Sequence, residues 1–224
     1  MIKRYLSRIR SRQHGQSFVE LALVVLILAL MLAGVVEFGF LLNSYLKVLD
    51  GAREGARFMN AGIAFDSGGE YEDFYVKAAI VTMRTMSPIP LKGNNRDDIV
   101  VSVFSVSGSN VRRWPSGQAN GWSLCANYGL PADLALLTAT SPPDLVVADW
   151  SSCTPRASNF TTAQLLALMD PSAPPSGILV VEVFYNYPQI LKLPVFEQVI
   201  PDPIQVYTYS VMPLSSAEPT APAP

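Results

Sequence analysis

Histidine occurs once in the 224 residues, as His14, and cysteine twice, as Cys125 and Cys153. If the chain is cut after Gly15, His14 is lost and no histidine is left for a Ser-His-Asp or Cys-His arrangement or for metal ligation, and two thiols without histidine make a poor zinc site. Charged side chains are also scarce, at 15% against about 25% in an average soluble domain. The chain has no phosphate-cradling glycine loop, no GxSxG elbow, no metal-ligand cluster and no acid pair at a defined spacing. These gaps argue against catalysis, and neither a cofactor nor a metal is expected. Acids are missing altogether before Glu20, while Lys3, Arg4, Arg8, Arg10 and Arg12 crowd the same stretch. Those five are drawn from 16 basic side chains, set against 18 acidic ones, so the rest of the chain is net acidic. Nothing in that balance suggests a nucleic-acid partner, and none is expected.

What the chain has instead is a long apolar run. From Leu21 to Leu42 the only charge is Glu37. As a helix the run is about 33 Å long, enough for a hydrocarbon core of about 30 Å. The excess of Lys and Arg before it marks the N-terminal side as cytoplasmic, which puts roughly 150 residues beyond the opposite face of the membrane. A cleaved secretory signal fits less well. Its apolar region runs only about 7–15 residues to a small-residue cleavage site, whereas Ala33-Gly34 here is followed by more helix. Glu37 falls near the far interface, as a snorkelling acid or a contact with another subunit.

The stretch leading into the run is distinctive. Gly15 is followed by Gln16-Ser17-Phe18-Val19-Glu20, so a carboxylate precedes the apolar run by one residue. Glu20 can snorkel to headgroups. Alternatively, a cut after Gly15 would make Gln16 a new α-amine, and Glu20 could pair with it in its own chain or a neighbour. Basic leader, Gly15, Glu20 and apolar helix together resemble the class III signal of type IV prepilins. The later Ala52-Arg53-Glu54-Gly55-Ala56-Arg57 is similar to TadE, the pseudopilin family of tight-adherence (Flp) pili. The resemblance covers about the first 60 residues. Gln16 departs from the Phe or Met usual at the first mature position, and Leu21 from the Tyr of major Flp pilins, which points to a minor subunit.

The resemblance implies processing at Gly15, Gln16 and Glu20 by a prepilin peptidase. It also implies partners among other pilin and pseudopilin subunits, residence in the cytoplasmic membrane, and a role in pilus biogenesis and adhesion. His14 is expected to be a solvated leader residue, and its removal would leave the mature chain without histidine. An uncleaved signal-anchored protein with an external binding domain, and a pseudopilin of a type II secretion system, are the alternatives.

The expected organisation is a leader over 1–15, a transmembrane and stem helix over 16–62, an α+β domain over 63–212 and a disordered tail over 213–224. Gly51, Ala52, Gly55 and Ala56 put small residues at helical spacing, for close packing on the chain's own domain or on another subunit. A second helix is predicted over 70–87, with Phe74, Ala78, Val81 and Thr85 on one face and Pro88 and Pro90 beyond its end. Residues 98–106 read as a strand buried on both faces. Residues 178–187 and 205–212 read as two further strands that pair antiparallel across a Pro-rich link. Between the strands at 98–106 and 178–187, residues 107–177 read as an irregular insertion with a short helix at 161–169. Asp97 and Asp98 read as solvated surface. Outside the cytoplasm Cys125 and Cys153 can form a disulfide, whose loop would stabilise by roughly 3–4 kcal/mol; buried free thiols are the other possibility.

Overall fold

The computed structural model describes residues 2–60, 65–66, 69–70, 72–127, 150–168, 170, 172, 174–192 and 200–214. The chain is α+β: a long N-terminal helix, then a small antiparallel sheet with shorter helices. Helix α1 spans Ile2–Met59, 58 residues, or about 87 Å. No proline precedes Pro88, so nothing removes a backbone donor along its length. Two short strands follow, β1 (Phe65–Asp66) and β2 (Gly69–Glu70), which pair antiparallel. Helix α2 covers Glu72–Met86. Beyond it Pro88 and Pro90 forbid another turn, and the amides of Ser87 and Ile89 close on Arg84 and Met86.

The sheet comprises β3 (Asp98–Ser107), β4 (Asn110–Trp114), β5 (Trp122–Ser123), β6 (Ser176–Tyr187) and β7 (Ile204–Pro213). Its order is β4-β3-β6-β7, with β5 also on β3, and every pairing is antiparallel. Helices α3 (Leu124–Asn127) and α4 (Thr162–Leu168) lie in the long connection between β5 and β6. The pleat sends alternate side chains of β3 and β6 to opposite faces. Ile99, Val101 and Val103, with Leu179, Val181, Val183, Tyr185 and Tyr187, form one buried face against α1 and α2. Phe104 and Val180 on the other face are covered by Leu165 of α4 and by Phe160.

The core does not respect a boundary at residue 62, which itself lies outside the described residues. Val48, Ala52, Ala56 and Met59 of α1 are as buried as the strands they touch. The last third of α1 is therefore a layer of the domain rather than a stem beneath it.

Four expectations need correction. Phe74 and Ala78 of α2 are buried as expected, but Thr85 is exposed and Val81 half-buried, and Tyr75, Ala79, Thr82, Met83 and Met86 are buried as well. The buried side turns toward Thr82 and Met86 because its neighbour is the small-residue face of α1, into which those two fit. Residues 107–177 begin with an ordered hairpin, since Ser107 pairs with Asn110 and Val103 with Trp114. Asp97 and Asp98 are buried, at 1% and 0% exposure. The C-terminal strand continues through Pro213, and Leu214 is fully buried with its amide on Gly177 O, so no tail starts at 213. Residues 215–224 lie outside the described residues.

Candidate functional site

The chemistry of this molecule is concentrated along α1, which has two unlike halves. In the first, Gly15, Gln16 and Glu20 lie in the uninterrupted helix, and Glu20 is exposed. From Phe18 onward the side chains are apolar and uncovered: Phe18 is 72% exposed, Leu28 59% and Val35 69%. The most apolar 18-residue window has a mean hydropathy of 2.9, and none of it is buried. By length and composition this helix can cross a membrane. Phe18 to Val36 measures about 28 Å, close to one hydrocarbon core.

The second half begins at Glu37. Its Oε1 accepts hydrogen bonds from the Tyr187 hydroxyl (2.9 Å) and the Ile190 amide (2.9 Å), and its Oε2 accepts one from the Leu191 amide (2.8 Å). Consecutive amides closing on one carboxylate form a small anion-binding concavity. Glu37 is therefore neither a free snorkelling acid nor a reserve contact for another subunit. It ties α1 to the turn leaving β6. Sequence reasoning missed this because the partners stand 150 to 154 residues away.

Past Glu37, α1 buries a stripe that runs through Val48, Gly51, Ala52, Gly55, Ala56 and Met59. The glycines have a steric purpose. A Cβ on Gly55 would run into the Thr82 hydroxyl and lie 3.2 Å from Ala78 O; one on Gly51 would overlap Met86 and sit 3.0 Å from Thr82 O. The close approach that these small residues permit is thus taken up by the chain's own α2. On the outer side, Arg57 makes paired bonds of 2.8 and 2.9 Å to Glu54, and Arg53 stands 3.9 Å from Asp50. Together with Met212 they line an open groove beside β7, where each arginine already has an acid.

The far face of the sheet is held by buried acids. Asp97 accepts from the amides of Lys92 and Asn186, both at 2.8 Å. Burial nevertheless pushes its carboxyl up to about 6. Asp98 accepts from Ser123 Oγ (2.6 Å) and the amides of Ile99, Cys125 and Arg156, and burial raises it too. Glu182 accepts from the Asn159 amide and the Tyr207 hydroxyl, both at 2.8 Å, and is raised by the same cause. Asp98 and Glu182 take the Arg156 and Asn159 amides and so fasten the 153–160 strap, while Asp97 joins the Lys92 turn to β6 at Asn186. Cys125 and Cys153 are joined in a disulfide, with Cα atoms 5.8 Å apart, at the start of that strap. α4 is capped reciprocally, Gln164 N to Thr161 Oγ1 (3.2 Å) and Thr161 N to Gln164 Oε1 (2.9 Å), a capping box.

Among the described residues no three His, Cys, Asp or Glu side chains gather where they could hold a metal ion. Residues 15–57 match the family model described as TadE-like protein. The match begins at the glycine before Gln16 and takes in both halves of α1 up to Arg57. No curated protein and no solved structure matches the chain.

Proposed function

We propose that this protein is a minor pseudopilin of a Tad/Flp-type pilus, anchored in the cytoplasmic membrane and acting as a structural or assembly subunit. One observation carries the reading. A single helix, matched over residues 15–57 to TadE-like proteins, is bare and apolar for about 28 Å and then becomes part of a folded domain. A helix with that surface is stable only in lipid or against other apolar helices. A pilus subunit needs both settings in turn, the membrane before assembly and the helical core of the fibre afterwards.

The proposed processing step suits the same helix. A prepilin peptidase acting after Gly15 would remove all five leader cations and free an amine at Gln16. Glu20, exposed about one helical turn on, would then be the acid that compensates this amine among packed helices. A lone carboxylate among apolar side chains is costly, and one beside an ammonium is far less so. The basic leader favours a cytoplasmic N-terminus. The Cys125–Cys153 disulfide favours an oxidising compartment for the domain.

Intact-mass and N-terminal mapping of the membrane-extracted protein from its host tests the proposal. The expected chain starts at Gln16, and Gly15→Leu should retain the full-length precursor. A wild-type chain that starts at Met1 would leave a signal-anchored protein instead, and a mature-sized product from Gly15→Leu would move the cut elsewhere. Glu20→Ala should insert in the membrane normally yet lower incorporation into pili by about tenfold or more, measured by immunoblot of sheared fibres.

A further inference from the structure

The turn that Glu37 holds has a surface of its own. Beyond Tyr187 the chain presents Ile190 at 55% exposure, with Leu191 and Ile200 at 38% each. These are large apolar side chains outside the core, on the connection between β6 and β7. Their height along α1 is fixed by the bonds from the Ile190 and Leu191 amides to Glu37. That height is about one hydrocarbon thickness from Phe18, a turn or so before the last exposed apolar side chains of the run, Phe38, Phe40 and Leu42. Lys192 follows directly, with an exposed side chain whose ammonium stands 3.9 Å from Asp202. Its backbone stands in the left-handed region, φ 42°, a conformation that costs a lysine energy unless its surroundings hold it. On the other side of Lys192's loop, Gln189 N is held by Asp202 Oδ1 at 3.1 Å.

We infer that the described ends of this connection form a foot which rests on the membrane, with Ile190, Leu191 and Ile200 seated in the headgroup–acyl boundary of the leaflet from which α1 emerges. The inference rests on the reading that α1 crosses a bilayer. The occupant is lipid because the patch is continuous with the bare helix, and one apolar surface passes into the other at Glu37. An interfacial element buries its apolar side about 5–10 Å into that boundary, and a lysine beside it reaches back to phosphate through its aliphatic stem. The foot would hold the domain at a set angle on its helix before assembly, so that Glu37 orients the domain as well as attaching it.

The test uses the full-length protein, disulfide intact, in phosphatidylcholine–phosphatidylglycerol nanodiscs. A fluorescent probe sensitive to its surroundings is placed on Ile190→Cys, with Leu28→Cys as mid-span control and Val211→Cys as a remote one. Val211 lies near the end of β7 that pairs with Ile178, far from the Tyr187 end of the sheet. Spin-labelled lipids of shallow or deep label position then quench the probes. The foot predicts that shallow label removes about half or more of the Ile190 signal, deep label removes most of the Leu28 signal, and Val211 responds to neither. Quenching at Leu28 with none at Ile190 would overturn the foot and leave the membrane span standing. A blue-shifted Ile190 probe that no lipid quenches would mean a protein contact there, and overturns it equally. No quenching at Leu28 would remove the span itself, and the foot with it.

Discussion

The two halves of α1 make the instructive comparison. Both belong to one continuous helix, yet the first is built of large apolar residues with none of its most apolar window buried, while the second, though Phe38, Phe40 and Phe58 stay exposed on it, buries a stripe built around Gly51, Ala52, Gly55 and Ala56. Large side chains keep other backbones at a distance and suit a fluid solvent such as lipid tails. Small ones let a second helix approach closely and suit one fixed partner, here α2. Side-chain size rather than hydrophobicity divides the helix into a part for an outside environment and a part for the fold.

That division can be broken most severely at Gly55. Gly55→Leu puts a side chain into Thr82 and against the Ala78 carbonyl, forcing α1 and α2 apart. It should lower stability by about 3 kcal/mol, read as a fall in thermal midpoint of the detergent-solubilised protein. Leu28→Ala, in the bare half, should leave that midpoint unchanged. A midpoint that moved equally in both variants would erase the distinction between the halves. A smaller effect is expected at the border itself. Glu37→Gln keeps the size of the side chain but sets an NH₂ donor against one of the amide donors. It should cost about 1–2 kcal/mol and speed hydrogen exchange at Ile190 and Leu191 without altering exchange in the β3–β6 ladder.

The mildest test is pH, which should act on the folded half alone. Asp97 is raised by burial to about 6, from 3.8, and Asp98 and Glu182 are raised for the same reason. Ionisation therefore opposes folding. Stability that is fully present below the unfolded-state value, about 4, is lost as pH rises through about 6. Moving from pH 7 to pH 5 should stabilise the domain by about 1 kcal/mol, measured by urea unfolding followed in the near ultraviolet. Helicity of the bare half should not change over that range. A domain that weakened between pH 7 and 5 would show these acids to be held as ions.

Much of the scaffold could be read from local pattern. A run of 22 residues, apolar but for one acid, has the length and composition of a membrane-crossing helix, and the strands at 98–106 and 178–187 were legible from their patterns, though not their central place in the sheet. What escaped was long-range. Asp97 and Asp98 look like a solvated pair until four separate segments deliver amides to them. Their immediate continuity with the apolar Ile99–Val101 run was the available hint, because Asp98 shares its strand. Glu37 resembles any interfacial acid until the turn after β6 is placed beside it. The hairpin at Ser107–Asn110 carried its own glycine turn signal, but the surrounding Ser, Gly and Pro content obscured it. The face of α2 was legible at Phe74 and Ala78 but not at its C-terminal end, where a row of glycines and alanines on α1 gives Thr82 rather than Thr85 the buried place.

The bond from Tyr187 to Glu37 closes across 150 residues, and so it also has a date. A ribosome adding about 5–20 residues per second needs roughly 8–30 s to supply the second partner after the first. Throughout that interval the helix has been made while the sheet it belongs to lacks β6 and β7. The domain cannot close on its helix until synthesis is nearly complete, and a chain cut short before residue 187 would have an anchor without the clasp that sets the domain upon it.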